Sequence, residues 1–337
     1  MLKIKNGIIK EFYFSLYFRF DLNFMKELII LKNRSDIGAG TRGSDMGIDA
    51  LEIAAINANN DFFNRHPFVD VETHNETVYN KVKNTTAKRI NFVLEQCNRL
   101  KRATQTSLGS NQFPLVLSGD HSSALGTLAG IKAANPNKTL GVIWIDAHAD
   151  LHSPMSSPSG NVHGMPLAAA LGHDNFEHQI NPVSKETIAD WEAMKHLGTV
   201  LPILKPENLI YFGVRDIEVE EEAIINAKKI RNYPVYEVRH RGLKSCINEA
   251  LYQLRTVDHI YITFDVDAMD CDLVSRGTGT PVSKGFDPQE VIELIQAALQ
   301  SDKLVAIEIS EINPLLDEKG NRMAEVVFEI IEEIFKI

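Results

Sequence analysis

The chain has 337 residues, enough to bury a large core, and its formal net charge of -10 excludes the concentrated basic surface that a nucleic-acid partner needs. Three scattered cysteines, Cys97, Cys246 and Cys271, show neither even pairing nor metal-type spacing, which argues against a disulfide scaffold and for a reducing, cytoplasmic setting. No apolar run is long enough to span a bilayer, so no membrane partner is expected.

Residues 1–24 are rich in aromatics (Phe12, Tyr13, Phe14, Tyr17, Phe18, Phe20) but broken by Lys10, Glu11, Arg19 and Asp21. They lack signal-peptide character and are expected to form a loosely attached, disordered extension before one domain spanning 25–337. A strand over 28–31 is followed by Gly38-Ala39-Gly40-Thr41-Arg42-Gly43, which fits G-x-G-x-x-G. A dinucleotide turn follows its strand directly, whereas 32–37 intervene here, so this is read as a loop into a helix over 48–56 capped by Ser44 or Asp45. A helix-length stretch over 85–104 precedes a strand over 114–117 that ends at Asp120 and His121. After a helix over 122–134 comes a strand over 140–145, ending in Asp146-Ala147-His148-Ala149-Asp150 and a Ser/Pro/Gly/Asn-rich loop over 151–164. A long connection over 172–207 leads to strands over 209–212, 234–236, 259–264 and 304–309, with helices over 218–230, 244–254 and 287–300 between them. Asp287-Pro288 reads as a cap with proline in the first turn. Short β-branched runs alternating with helices predict an α/β fold with a mostly parallel sheet and ligands at the carboxyl ends of its strands.

Residues two apart on an extended strand end point to one side. His121, Asp146, His148, Asp150, Asp265 and Asp267 therefore converge from three strand ends. Each aspartate taken singly reads as a helix cap or a loop hydrogen-bonder. Five alternating positions at two strand ends plus a histidine at a third favour a metal site instead. Two histidines and four aspartates suffice for two divalent ions if some carboxylates bridge, and the absence of thiolate points to a harder ion such as manganese. Two ions roughly 3.5–4 Å apart lower the pKa of a shared water.

Ser118-Gly119-Asp120-His121-Ser122, Trp144-Ile145-Asp146-Ala147-His148-Ala149-Asp150, Ser159-Gly160-Asn161-Val162-His163-Gly164, Phe264-Asp265-Val266-Asp267, Gly277-Thr278-Gly279-Thr280-Pro281 and Glu311-Ile312-Asn313-Pro314 resemble, in order, the signature motifs of the ureohydrolases, and of arginases in particular. The resemblance runs from about Asp36 to the C-terminus. It implies a three-layer α-β-α fold around a central, mostly parallel sheet of about eight strands, and two Mn2+ per subunit. One ion would be held by His121, Asp146, Asp150 and Asp265, the other by Asp146, His148, Asp265 and Asp267. By the same resemblance a bridging hydroxide would attack the guanidinium carbon of L-arginine to give L-ornithine and urea. Glu311 would pair with the guanidinium, His163 would shuttle protons, and Asp150 would orient the hydroxide and pass a proton to the departing amine. Ser159 and Asn161 would hold the α-carboxylate, Thr280 would sit near the guanidinium end, and Asp216 would face the α-ammonium. Relatives are commonly homotrimers or hexamers, and arginine metabolism is the implied setting.

Two positions depart from the arginase pattern: His152 stands where asparagine is usual, and Glu218 where a second aspartate is usual. A histidine still donates to a carboxylate and a glutamate still meets an ammonium, with altered reach. The alternatives are a formimidoylglutamase, whose substrate keeps the carboxylate that Ser159 and Asn161 would grip, and an agmatinase, whose substrate lacks it. A two-metal phosphoesterase should show cations near the site, yet Arg276 is the nearest candidate in an acidic setting. A non-catalytic ligand-sensing relative should lack a metal ligand, and none is missing.

Overall fold

A computed structural model describes residues 26–336. The expected extension over 1–24 lies outside the described residues. Eight strands form one sheet: β1 (Glu27–Asn33), β2 (Phe68–Asp70), β3 (Gln112–Ser118), β4 (Leu140–Ile145), β5 (Leu209–Phe212), β6 (Arg231–Tyr233), β7 (His259–Asp265) and β8 (Leu304–Ser310). Their order is β2-β1-β3-β8-β7-β4-β5-β6, and every neighbouring pair is parallel. All carboxyl ends therefore open on one side.

The central strands read as continuous apolar runs because both faces are covered. In β4 the alternation separates two cores. Ile143 and Ile145 pack with Ile262, Phe264, Ile307 and Ile309 against helices Gly47–Asn57, Pro288–Leu299 and Arg322–Ile334. Val142 and Trp144 point the other way, joining Tyr211, Tyr261 and Val305 beneath helices Ile90–Gly109, Ala124–Ala134 and Pro166–Leu171. The result is the expected three-layer arrangement, with the sheet wholly rather than mostly parallel.

Several local expectations are corrected. The strand expected over 234–236 lies at Arg231–Tyr233 instead. Pro234 has no N–H for the ladder and serves as N-cap of helix Val235–Arg241, which absorbs the apolar residues beyond it. Neither Ser44 nor Asp45 caps helix Gly47–Asn57: Met46 is its N-cap, and no side chain bonds there. Asp45 instead accepts from Asn75 Nδ2 at 3.3 Å. The helix expected over 85–104 starts at Ile90 and runs to Gly109, and the long connection over 172–207 contains helix Lys185–Lys195, capped by Ser184. Trp191 buries against that connection and donates to Asp174 Oδ1 at 2.7 Å. The Asp287 cap is reciprocal, Glu290 N–H donating to Asp287 Oδ1 and Asp287 N–H to Glu290 Oε2, both at 2.8 Å.

Candidate active site and metal centre

Five adjacent strands, β3, β8, β7, β4 and β5, end at one cleft. From the loop after β3 comes His121, whose ring stacks on Trp144 of β4 with centroids 4.2 Å apart. Its Nδ1 lies 3.0 Å from Asp146 Oδ2, 3.2 Å from Asp150 Oδ2 and 3.3 Å from Asp265 Oδ2. Its Nε2 meets Thr263 Oγ1 at 2.8 Å, which fixes Nδ1 as the atom facing the carboxylates. His148 Nδ1 stands 3.0 Å from Asp267 Oδ2 and 3.5 Å from Asp146 Oδ1, with Asp216 Oδ2 3.6 Å from Nε2. His121, Asp146 and Asp265 form one donor group, and Asp146, His148 and Asp267 a second. Asp146 belongs to both through different oxygens.

Local bonds hold these carboxylates without neutralising them. His148 N–H donates to Asp146 Oδ1 at 2.7 Å, Ala147 N–H to Asp267 Oδ1 at 3.1 Å, and Asp267 N–H to Asp265 Oδ1 at 2.9 Å. Trp144 Nε1–H adds a bond to Asp146 Oδ2 at 2.9 Å, and Thr280 Oγ1–H one to Asp267 Oδ2 at 2.9 Å. Burial, with Asp267 and Asp146 close by, pushes Asp265 well above the ordinary carboxylate range. Burial and the charge of Asp146 raise Asp150 to about 6. Burial also works to raise Asp146, but the flanking imidazoles of His121 and His148 hold it below its ordinary value. Burial would lower both imidazoles, yet the carboxylates around them hold each well above its ordinary value.

These donors fit a divalent cation pair. His121 Nδ1 faces three carboxylate oxygens and hydrogen-bonds to none, and Asp150 Oδ2 is likewise without a hydrogen-bond partner. A buried polar atom left so costs about 1–3 kcal/mol. Converging donor atoms left without hydrogen-bond partners are satisfied by a cation between them, and an oxygen-rich set with two imidazoles suits a hard one.

Above this floor a pocket of about 280 Å³ brings together His121, His148, Asp150, His152, Ser159, Asn161, His163, Asp216, Glu218, Asp265 and Thr280. Asp146, Asp267 and Glu311 are buried next to these residues and do not themselves line the pocket. Glu311, reached through a left-handed backbone turn (φ 69), accepts from His121 N–H at 2.9 Å and lies 3.0 Å from His163 Nδ1. Burial would lower His163, but the adjacent Glu311 carboxylate raises it to about 9. His152 places Nδ1 3.2 Å from Ser156 Oγ and Nε2 3.3 Å from Glu218 Oε2 and 3.7 Å from Glu221 Oε2. Burial pushes the Glu221 carboxyl up to about 8, against the pull of His152, while the bond to His152 brings Glu218 down to about 2.

The profile of the arginase family matches residues 26–336. An arginase from Bacillus caldovelox is 32% identical over 314 residues, covering 92% of this chain and 98% of that protein. This chain belongs to the arginase family. The solved structure of the Bacillus caldovelox arginase superposes with a TM-score of 0.79 at 31% identity, covering 93% of this chain and 99% of that one. An Entamoeba histolytica arginase solved in complex with L-ornithine superposes with a TM-score of 0.78 at 27% identity over 93% of this chain and 98% of that one. The protein is thus an arginase-type hydrolase of a metalloenzyme family that acts on a small amino-acid substrate.

Other residues of this arginase-family site escape sequence reasoning. Arg215 donates to the carbonyls of Gly213, Asp267, Ala268, Met269, Val282 and Ser283 at 2.9–3.4 Å, tying the loop after β5 to the loop after β7. Buried Asp120 accepts from Gly38 N–H at 2.8 Å and Ser122 N–H at 2.9 Å, which draws the glycine-rich loop over 38–43 onto the site. The carbonyl of Gly38 in turn accepts from His163 N–H at 3.2 Å. The partners that tie these residues to the site, Gly38 for Asp120 and the 267–283 carbonyls for Arg215, are far away in sequence, so no local pattern announces the roles.

Proposed function

We propose that the protein hydrolyses the guanidinium group of L-arginine to L-ornithine and urea with two manganese ions. The observation that carries this reading is the sharing of Asp146 between two donor groups at the floor of a pocket whose rim offers hydroxyl and amide donors on one side and carboxylates on the other. His121, Asp146, Asp150 and Asp265 would hold one ion, and Asp146, His148, Asp265 and Asp267 the other. When bound, such a pair supplies a water of lowered pKa at the pocket floor.

The chain's own residues would do the rest. Glu311 offers a carboxylate to a planar guanidinium, which would donate two parallel hydrogen bonds to such a partner. His163, engaged by Glu311 through Nδ1, leaves Nε2 to exchange protons between pocket and solvent. Asp150 would take a proton from the water and pass it to the departing amine. Ser159 and Asn161 would donate to the α-carboxylate, with Asp216 and Glu218 toward the α-ammonium and Thr280 near the guanidinium end. The ornithine complex of the Entamoeba histolytica relative supports an amino-acid product. Agmatine would leave the donors of the 159–161 loop unused, and formiminoglutamate would put a second carboxylate into an acidic pocket.

Manganese-loaded protein should release urea from L-arginine, none from agmatine and no formamide from N-formimino-L-glutamate, and a chelated sample should be inactive. Formamide release would move the error to the amino-acid clamp. Full activity in the chelated sample would remove the two-metal reading.

A further inference from the structure

We propose that Lys88 is a positioning and specificity-determining residue for the carboxylate end of the substrate, acting through Asn161. This rests on the amino-acid reading of the pocket given above. Lys88 Nζ donates to Asn161 Oδ1 at 3.0 Å, and Lys88 N–H donates to the carbonyl of Gly160 at 2.7 Å. Two residues of the segment over 85–88 thus press on the Ser159-Gly160-Asn161 loop, since a Cβ at Gly160 would collide with the carbonyl oxygen of Thr85. On the other side of the Asn161 amide lies the bare backbone of Gly40, where a Cβ would collide with Asn161 Nδ2. The amide is sandwiched between an ammonium and a glycine.

Three consequences follow from that placement. With Oδ1 turned to a cation, Asn161 presents only its N–H groups as remaining polar capacity, which suits an anionic ligand. Polarisation by the ammonium strengthens those donors. And the charge itself is unspent, because among the described residues Lys88 forms no ion pair and its side-chain hydrogen bond is the one to Asn161. The far side of the pocket carries the carboxylates of Asp216 and Glu218. His152 offsets only Glu218, 3.3 Å from its Nε2, and leaves Asp216 to carry the negative charge of that side. The pocket is therefore polar along its length, positive beside the 159–161 loop and negative beside the loop after β5, matching a zwitterionic head group.

The test uses Lys88→Met, which keeps the aliphatic stem, and Lys88→Arg, which keeps the charge. Lys88→Met should raise KM for L-arginine about tenfold with kcat within about twofold, the loss of one charge-assisted hydrogen bond. Lys88→Arg should restore most of the affinity for arginine. Calorimetry gives an independent reading: Lys88→Met should bind L-ornithine about tenfold more weakly and putrescine as the wild type does. An unchanged preference for ornithine over putrescine overturns the proposal, as does a Lys88→Met variant that loses kcat while KM for arginine stays put. Wild-type protein that makes no urea from arginine would overturn the assigned reaction, and the ornithine and putrescine affinities would still decide the role of Lys88.

Discussion

Asp265 illustrates how function and stability oppose each other at a single residue. Its carboxylate is buried beside Asp267 and Asp146 and is held well above its ordinary range. Asp265→Asn keeps an acceptor for the Asp267 N–H but removes one of the crowded charges. The variant is expected to melt no lower than the wild type when both are metal-free, to gain no thermal stability from added manganese, and to lose at least about a thousandfold in arginine turnover. Retained turnover would remove the assignment. Glu308, in the middle of β8, is a second buried carboxylate, accepting from Ser118 Oγ at 2.7 Å, Thr127 Oγ1 at 2.5 Å and Tyr261 OH at 2.7 Å. Burial raises it in spite of those donors. A raised folded value means that the folded chain holds the proton more tightly, so this contribution is complete below the ordinary carboxylate value and is lost as pH rises through the raised one. Glu308→Gln carries no such proton. Its deficit against wild type, about 1 kcal/mol at pH 4, should shrink as pH rises across that window, which urea titrations at pH 4, 6 and 8 would read. A deficit independent of pH would mean that Glu308 does not titrate there.

Elements differ in how openly the sequence declares them. β4 is read at its true bounds because six consecutive buried positions leave no other assignment. β2 goes unread, since three exposed residues at an edge carry no apolar signature. β6 is displaced because the apolar residues beyond Pro234 belong to a helix. The metal-type donors are legible for a physical reason, their spacing matching the two-residue repeat of a strand end. The contacts of Glu221 with Leu151, Lys88 with Asn161, Arg215 with Ser283 and Asp120 with Gly38 are not, because each forms only after distant segments have come together. The loop over 159–161 shows how tightly such closure binds. Gly160 has φ 68 and faces Thr85 O, whereas Gly320 has φ 83 with nothing within 4 Å of where a Cβ would stand. Gly160→Ala should therefore weaken binding of L-ornithine by about tenfold or more, with a visible drop in melting temperature. Gly320→Ala should cost only about 1 kcal/mol of backbone strain and leave binding alone. Equal effects from the two would mean that the contact with Thr85 is unimportant.

On the scale of the whole molecule, the fold is legible because an alternating pattern permits few topologies, and the parallel sheet follows from it. Strand order is beyond reach, since it depends on which buried faces match in three dimensions. Divalent cation binding should be felt globally. Manganese at a hundredfold excess over its dissociation constant is expected to stabilise the protein by about 2.7 kcal/mol, seen as a higher melting temperature that chelation reverses. A melting temperature indifferent to both would argue against a folded-state metal centre.

The order β3-β8-β7 carries one more implication, and it concerns biosynthesis. Among the described residues β8 is the last strand in chain order, yet it lies between β3, which leads to His121, and β7, which leads to Asp265. A nascent chain that has not yet released residues 304–310 can pair β7 with β4 and so gather Asp146, His148 and Asp267, but it has no strand to carry His121 to them. The donor groups are brought together only once residues 304–310 have been made, so that competence for a cation would report that segment intact.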